Sequence, residues 1–93
     1  MKFMVVETFK PGKTGEVYKR YEKNGRLLPT GLKYIDSWLS FDHTKCFQLM
    51  ETEKFDLFDD WISNWNDLID FEIIPVEDSP TKAAQKCDAT EES

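Results

Sequence analysis

Between Leu32 and Glu51 the chain reads LKYIDSWL, a short polar turn containing FDHT, and then CFQLME. Two β-prone runs this close can only pair antiparallel, because a parallel neighbour needs a crossover of about a dozen residues or more. Residues 32–39 and 46–51 are therefore read as a hairpin. What flanks the hairpin sets the rest of the architecture. Before it, KFMVVETF (residues 2–9) is rich in β-branched and aromatic residues and ends at the turn cluster PGKTG. Thr14 is placed to cap a helix over GEVYKRYEKN, with Val17, Tyr18 and Tyr21 on one face and Gly25 as a left-handed stop. The link RLLPTG follows, with Leu27 and Leu28 expected beneath the fold. After the hairpin, EKFDLFDDWISNW carries Phe58, Trp61, Ile62 and Trp65 at helical spacing. Glu53 and Asp56 stand near the start of that helix, where they suit its dipole. DFEIIPV (residues 70–76) is a final strand.

The order is β-α-β-β-α-β. Short connections and right-handed crossovers turn that order into an α+β, ferredoxin-like domain with a four-stranded antiparallel sheet and both helices on one face. The domain is expected over residues 1–77. Residues 78–93 contain no large apolar residue and read as a disordered polar tail. With 40% apolar and 14% aromatic residues, the remainder has enough material for one packed core. No apolar run approaches the roughly 20 residues of a membrane-spanning helix, and MKFMVVETF lacks the apolar stretch of a signal peptide. A cytoplasmic location is the expectation. A net charge of −6 with scattered basic residues excludes nucleic acid as a partner. Cys46 and Cys87 are the two cysteines, and no disulfide or zinc site is expected of them.

A sheet covered on one side leaves its other face bare, over roughly 350 Å² in plan. A three-residue hairpin loop at Asp42–Thr44 sets Trp38 opposite Gln48 and Asp36 opposite Met50. Ile35, Ser37, Leu39, Phe47 and Leu49 then pack under the helices. Tyr34, Asp36, Trp38, Cys46, Gln48 and Met50 line the bare face, where Glu7 and Glu72 can join them. Aromatic walls with a few polar groups suit a small-molecule cavity. Asp36 and Glu7 are the acid/base candidates, since a carboxyl group in a dry cavity titrates nearer neutrality. Tyr34, Trp38 and Gln48 are the candidate substrate-binding residues. Glu7 with Asp36 is too thin a set for a metal site, and no cofactor is expected.

The stretches MKFMVVETFKPG, GRLLPTGLKYIDSWL, CFQLMET and LFDDWISNWNDLIDFEIIPV resemble a bacterial domain-of-unknown-function family within the dimeric α/β-barrel superfamily. That resemblance implies a homodimer with a cavity between sheets or between sheet and helices. It brings no catalytic motif. Cofactor-free monooxygenases, haem-degrading enzymes and lactone isomerases belong to the same superfamily. The haem-degrading members typically use a histidine ligand, whereas this chain offers only His43, in the hairpin turn.

Two functions are open at this level. One is a homodimer that binds a small, partly apolar molecule and carries out acid/base or monooxygenase-type chemistry without a cofactor. The other is a non-catalytic assembly or regulatory module.

Overall fold

The structure, a computed structural model, describes residues 1–82. Its elements are β1 (Lys2–Phe9), α1 (Thr14–Asn24), β2 (Lys33–Leu39), β3 (Lys45–Glu51), α2 (Leu57–Ile62) and β4 (Ile69–Val76). The four strands form one antiparallel sheet in the order β2-β3-β1-β4, giving the α+β ferredoxin-like topology. No helix among the described residues is long and apolar enough to cross a membrane.

β1 lies at the centre of the sheet, and its burial alternates along the strand. Phe3, Val5, Glu7 and Phe9 are buried, and the residues between them are half-buried. The Phe3 ring meets Phe58 of α2 edge-on at 5.0 Å, and the Phe9 ring meets Tyr18 of α1 at 6.2 Å. Phe3 and Phe9 are an even number of residues apart, so both helices cover the same face of the sheet. That face holds the core: Phe3, Val5, Met50, Phe58, Trp61 and Trp65 are its principal buried side chains. Each contributes about 1.5–3 kcal/mol on burial.

Register overturns part of the expected face assignment. Phe3 pairs with Met50, Val5 with Gln48 and Glu7 with Cys46. Directly opposed residues share a face, so Glu7, Cys46, Gln48 and Met50 lie under the helices and not on the bare side. Phe47 and Leu49 point the other way. The hairpin loop is one residue longer than the reading assumed: Ser40 N–H donates to Lys45 O at 2.9 Å, which leaves Phe41–Thr44 as the loop. One residue of slip exchanges the faces of a strand. His43 takes the left-handed conformation there (φ 63°), and Asp42 Oδ1 accepts from Ser40 Oγ, Thr44 N and Thr44 Oγ1. These bonds hold the Asp42 carboxyl down at a pKa of about 2.

β2 then changes phase within itself. Tyr34 pairs with Met50, yet Asp36 pairs with Leu49, so Ile35 is an extra residue in a bulge. Tyr34, Ser37 and Leu39 consequently face the helices, while Asp36 and Trp38 face away. Two residues of this strand thus depart from the expected assignment: Tyr34 faces the helices, and Ile35, expected beneath them, is exposed in the bulge.

Three local expectations also change. Lys13 occupies the α1 N-cap with no side-chain cap bond, and Thr14 is already helical. Leu27 stands exposed with φ 61°, whereas Leu28 packs on the core. α2 has six residues, and the chain continues from Ser63 as turns. Ser63, Asn64, Asn66 and Asp67 are weak helix formers, which shortens the helix; Ser63 Oγ donates to Asp60 O at 2.7 Å, while Asn64 and Asp67 bond Leu27 O and Arg20 outside it. Gly25 ends α1 as expected, at φ 69° and ψ −157°, a region open essentially to glycine. The expected disordered tail and Cys87 lie outside the described residues from position 83 onward; residues 80–82 have helical backbone, and Lys82 N–H donates to Ser79 Oγ.

Candidate functional site

The site grows from Arg26, the first residue past the α1 stop. Its main-chain carbonyl accepts two indole N–H groups, Trp61 Nε1 at 3.0 Å and Trp65 Nε1 at 2.9 Å. Both indoles are buried, so each N–H requires an acceptor, and one carbonyl supplies both. Asn64 Nδ2 adds a bond to Leu27 O at 3.3 Å. A linker of irregular backbone is thereby fixed to the turns after α2, and the Arg26 side chain is aimed back over the sheet.

The guanidinium lies flat on Tyr34, with Cζ 3.6 Å from the ring centroid, and borders Tyr21 at 5.2 Å. Its Nε donates to Gln48 Oε1 at 3.4 Å and Nη1 donates to Tyr21 Oη at 3.3 Å. Gln48 Nε2 in turn donates to Glu7 Oε2 at 2.5 Å. The Gln48 amide therefore bridges the cation and the acid, one end to each. Tyr34 Oη and Ser37 Oγ share a hydrogen bond of 2.7 Å alongside.

This cluster forms the polar part of a cavity of about 310 Å³ between the sheet and α1. Glu7, Gln48, Arg26, Ser37 and Cys46 are its polar lining, and Phe9, Val17, Tyr18, Tyr21, Trp65 and Leu39 supply much of the apolar wall. The size falls at the lower end for small-molecule pockets. Glu7 is only 5% exposed. Burial pushes its carboxyl from the ordinary 4.5 up to about 7, against the opposing pull of Arg26 and the Gln48 hydrogen bond. Oε1 of Glu7 accepts no bond within the described residues, and no buried side-chain polar atom there is left sealed without a partner. Oε1 is therefore the oxygen that opens onto the cavity. Cys46, across the strand from Glu7, has its thiol pushed up to about 11 by burial and the neighbouring carboxyl, so it stays protonated.

The five expected site residues thus separate. Glu7 and Gln48 meet in the cavity. Tyr34 lies on the same side, where it carries Arg26. Trp38, half exposed, borders the cavity from the edge strand. Asp36 is on the opposite face of the sheet, exposed, and accepts its neighbour's Ser37 N–H at 2.8 Å. The sheet therefore stands between Asp36 and Glu7, so they form no carboxylate pair. Arg26 and Ser37 were not expected. The signal for Arg26 was indirect: two helical tryptophans need acceptors for their N–H groups, and a linker following a glycine stop can offer one.

The uncovered face is more apolar than the hairpin reading implied. Two cross-strand rows, Trp38–Phe47–Val6–Glu72 and Asp36–Leu49–Met4–Ile74, run across it with acids at their ends. Comparison with known proteins agrees with a domain of this size. Residues 1–86 match the family described as Domain of unknown function (DUF3303), and the chain belongs to that family. No curated protein matches it.

Proposed function

We propose that this member of the family binds a small, partly apolar molecule in the cavity between sheet and α1, with Glu7 as the group that exchanges a proton with it. One observation carries the reading. Glu7 is a buried carboxyl whose pKa is raised to about 7 and whose open oxygen faces an aromatic-walled space. At neutral pH such a group is divided between its two forms, so it can take up a proton and return it. Deprotonation of a carbon acid or an enol needs that base and a nearby positive charge for the developing oxyanion, and Arg26 is placed for the second role. Gln48 holds the two in register. Isomerisation would return the proton to another atom. The monooxygenase-type variant would use the deprotonated substrate as the electron donor to dioxygen.

The apolar rows of the uncovered face favour a second element of the proposal, a homodimer of the dimeric α/β-barrel kind. A patch built on Trp38, Phe47, Val6, Leu49, Met4 and Ile74 is large for an isolated small domain. Asp36 would then lie at the edge of the contact. A purely structural assembly module remains the competing class and is favoured by the same face.

Native mass spectrometry of protein purified without additives reads both elements. A dimer carrying a defined extra mass, lost on Glu7→Ala, supports binding and pairing together. A monomer overturns the homodimer. If no compound is carried and no small ketone, phenol or acid raises the melting temperature, the binding reading falls and the assembly module takes its place.

A further inference from the structure

We propose that the molecule taken by this cavity is a flat, mostly apolar monoanion, a small aromatic acid or enolate, with the Arg26 guanidinium as its counter-ion. This rests on the binding reading above and adds the ligand's charge and shape.

The two buried-side arginines of the chain differ in a way that points there. Arg20 is paired with an acid: Nη1 and Nη2 each bond an Asp67 oxygen at 2.8 Å, and Nη1 also reaches Asn64 O. Arg26 has no carboxylate within ion-pair distance among the described residues. Its protein partners are two neutral oxygens at 3.3–3.4 Å. A guanidinium carries five N–H donors, so among the described residues both hydrogens of Nη2 and one of Nη1 have no protein acceptor. A half-buried cation in a chain of net charge −6 would ordinarily sit against an acid. Here Gln48 is inserted between it and the nearest one.

The spare donors belong to a group held by its neighbours. Tyr34 supports its face, Tyr21 stands beside it, and the two indoles hold its carbonyl. A planar fork held in this way suits a carboxylate or enolate oxygen pair in the plane of the guanidinium. The walls beyond are aromatic and aliphatic, which selects an apolar body behind the anionic head. The volume of about 310 Å³, at the lower end for small-molecule pockets, suits a ligand built on a single substituted ring.

The test is an NMR titration of the full chain at about pH 6 with benzoate, benzamide and benzylamine, three probes of one shape and different charge. The expected order is benzoate about tenfold tighter than benzamide, with benzylamine weakest. Arg26→Gln is expected to remove benzoate's advantage while leaving benzamide within about twofold. That variant keeps the carbonyl on which the indoles depend, and its melting curve checks the fold. Should it fail to fold, the three wild-type affinities decide alone. Benzamide binding as tightly as benzoate in the wild type overturns the anion inference and leaves the cavity reading standing. Discrimination that survives Arg26→Gln overturns Arg26 as the counter-ion. Failure of all three probes to shift cavity resonances overturns the inference and counts against the cavity reading as well.

Discussion

Replacing Glu7 by glutamine should make the protein more stable, by an amount that grows from about pH 4.5 and levels off above about pH 7. Glu7 has a pKa of about 7 in the folded chain and about 4.5 when unfolded. Below 4.5 both states hold the proton, and the buried neutral acid costs the fold little. Between 4.5 and 7 the folded chain keeps a proton that the unfolded chain releases, so stability falls as pH rises, and the loss is complete above 7. The gap corresponds to about 3 kcal/mol. Glutamine is neutral throughout, has nearly the same shape and can still accept from Gln48 Nε2. Urea unfolding of both proteins at about pH 5 and about pH 8.5, extrapolated to water, isolates the Glu7 contribution because every other titration cancels in the difference. The groups facing Glu7 are Arg26 from the linker, Cys46 and Gln48 from β3, and Tyr18 from α1. The Cys46 thiol and the Tyr18 phenol are both raised and remain protonated across this range. The expected result is an advantage for Glu7→Gln of about 1 kcal/mol at the lower pH and about 3 kcal/mol at the higher. A difference between the two proteins that is the same at both pH values would refute the buried, raised carboxyl and with it the proton-exchange role.

Further outcomes can be checked on the same protein. Trp61→Phe and Trp65→Phe each leave the Arg26 carbonyl one indole partner, whereas the double variant leaves it none; a double-mutant cycle should show about 1–2 kcal/mol of extra loss beyond additivity. Gly25→Ala should cost about 1–3 kcal/mol from backbone conformation alone, since a methyl there meets no atom within 4 Å, and thermal melting reads it. Cys46 should alkylate with iodoacetamide at about pH 8 at least tenfold more slowly than free cysteine, as peptide mapping by mass would show. Trp38→Ala should weaken the proposed dimer by about tenfold or more in sedimentation; an unchanged association would remove the uncovered face as its contact.

The order of elements could be read directly because each segment has a periodicity of its own and a turn cluster at each end. Faces were harder. Along β1, both sets of alternate residues are largely apolar, so Glu7 could not be assigned by pattern, only by the edge contacts of Phe3 and Phe9 with the helices. In the hairpin, a loop of four residues in place of three exchanged the faces of β3. Asp36 and Trp38, between the loop and the bulge, stayed where the reading put them while Gln48 did not, and the Ile35 bulge beyond them turned Tyr34 to the helix side. Bulges and loop lengths are set by a few hydrogen bonds, such as those of Asp42, and leave no mark on hydropathy. α2 was overextended because its apolar stripe reaches Trp65, although Ser63, Asn64, Asn66 and Asp67 already favoured turns. Arg26 was invisible for a different reason: it lies on no periodic element, and its position depends on two tryptophans more than thirty residues away.

The double indole contact has a consequence for how such a domain can diversify. Trp61 and Trp65 recognise a peptide carbonyl, which every amino acid possesses, and their hydrogen bonds do not involve the side chain of that residue. This anchor therefore depends on the backbone at position 26 and is separate from the contacts that the side chain makes with Tyr21, Tyr34 and Gln48. Lysine, glutamine or histidine could replace Arg26 with the same anchor intact, and each would present a different head to the cavity. Under the proposed function, the indole anchor and the choice of ligand would be carried by different atoms of a single residue, so the head presented to the cavity could change while the anchor stays the same.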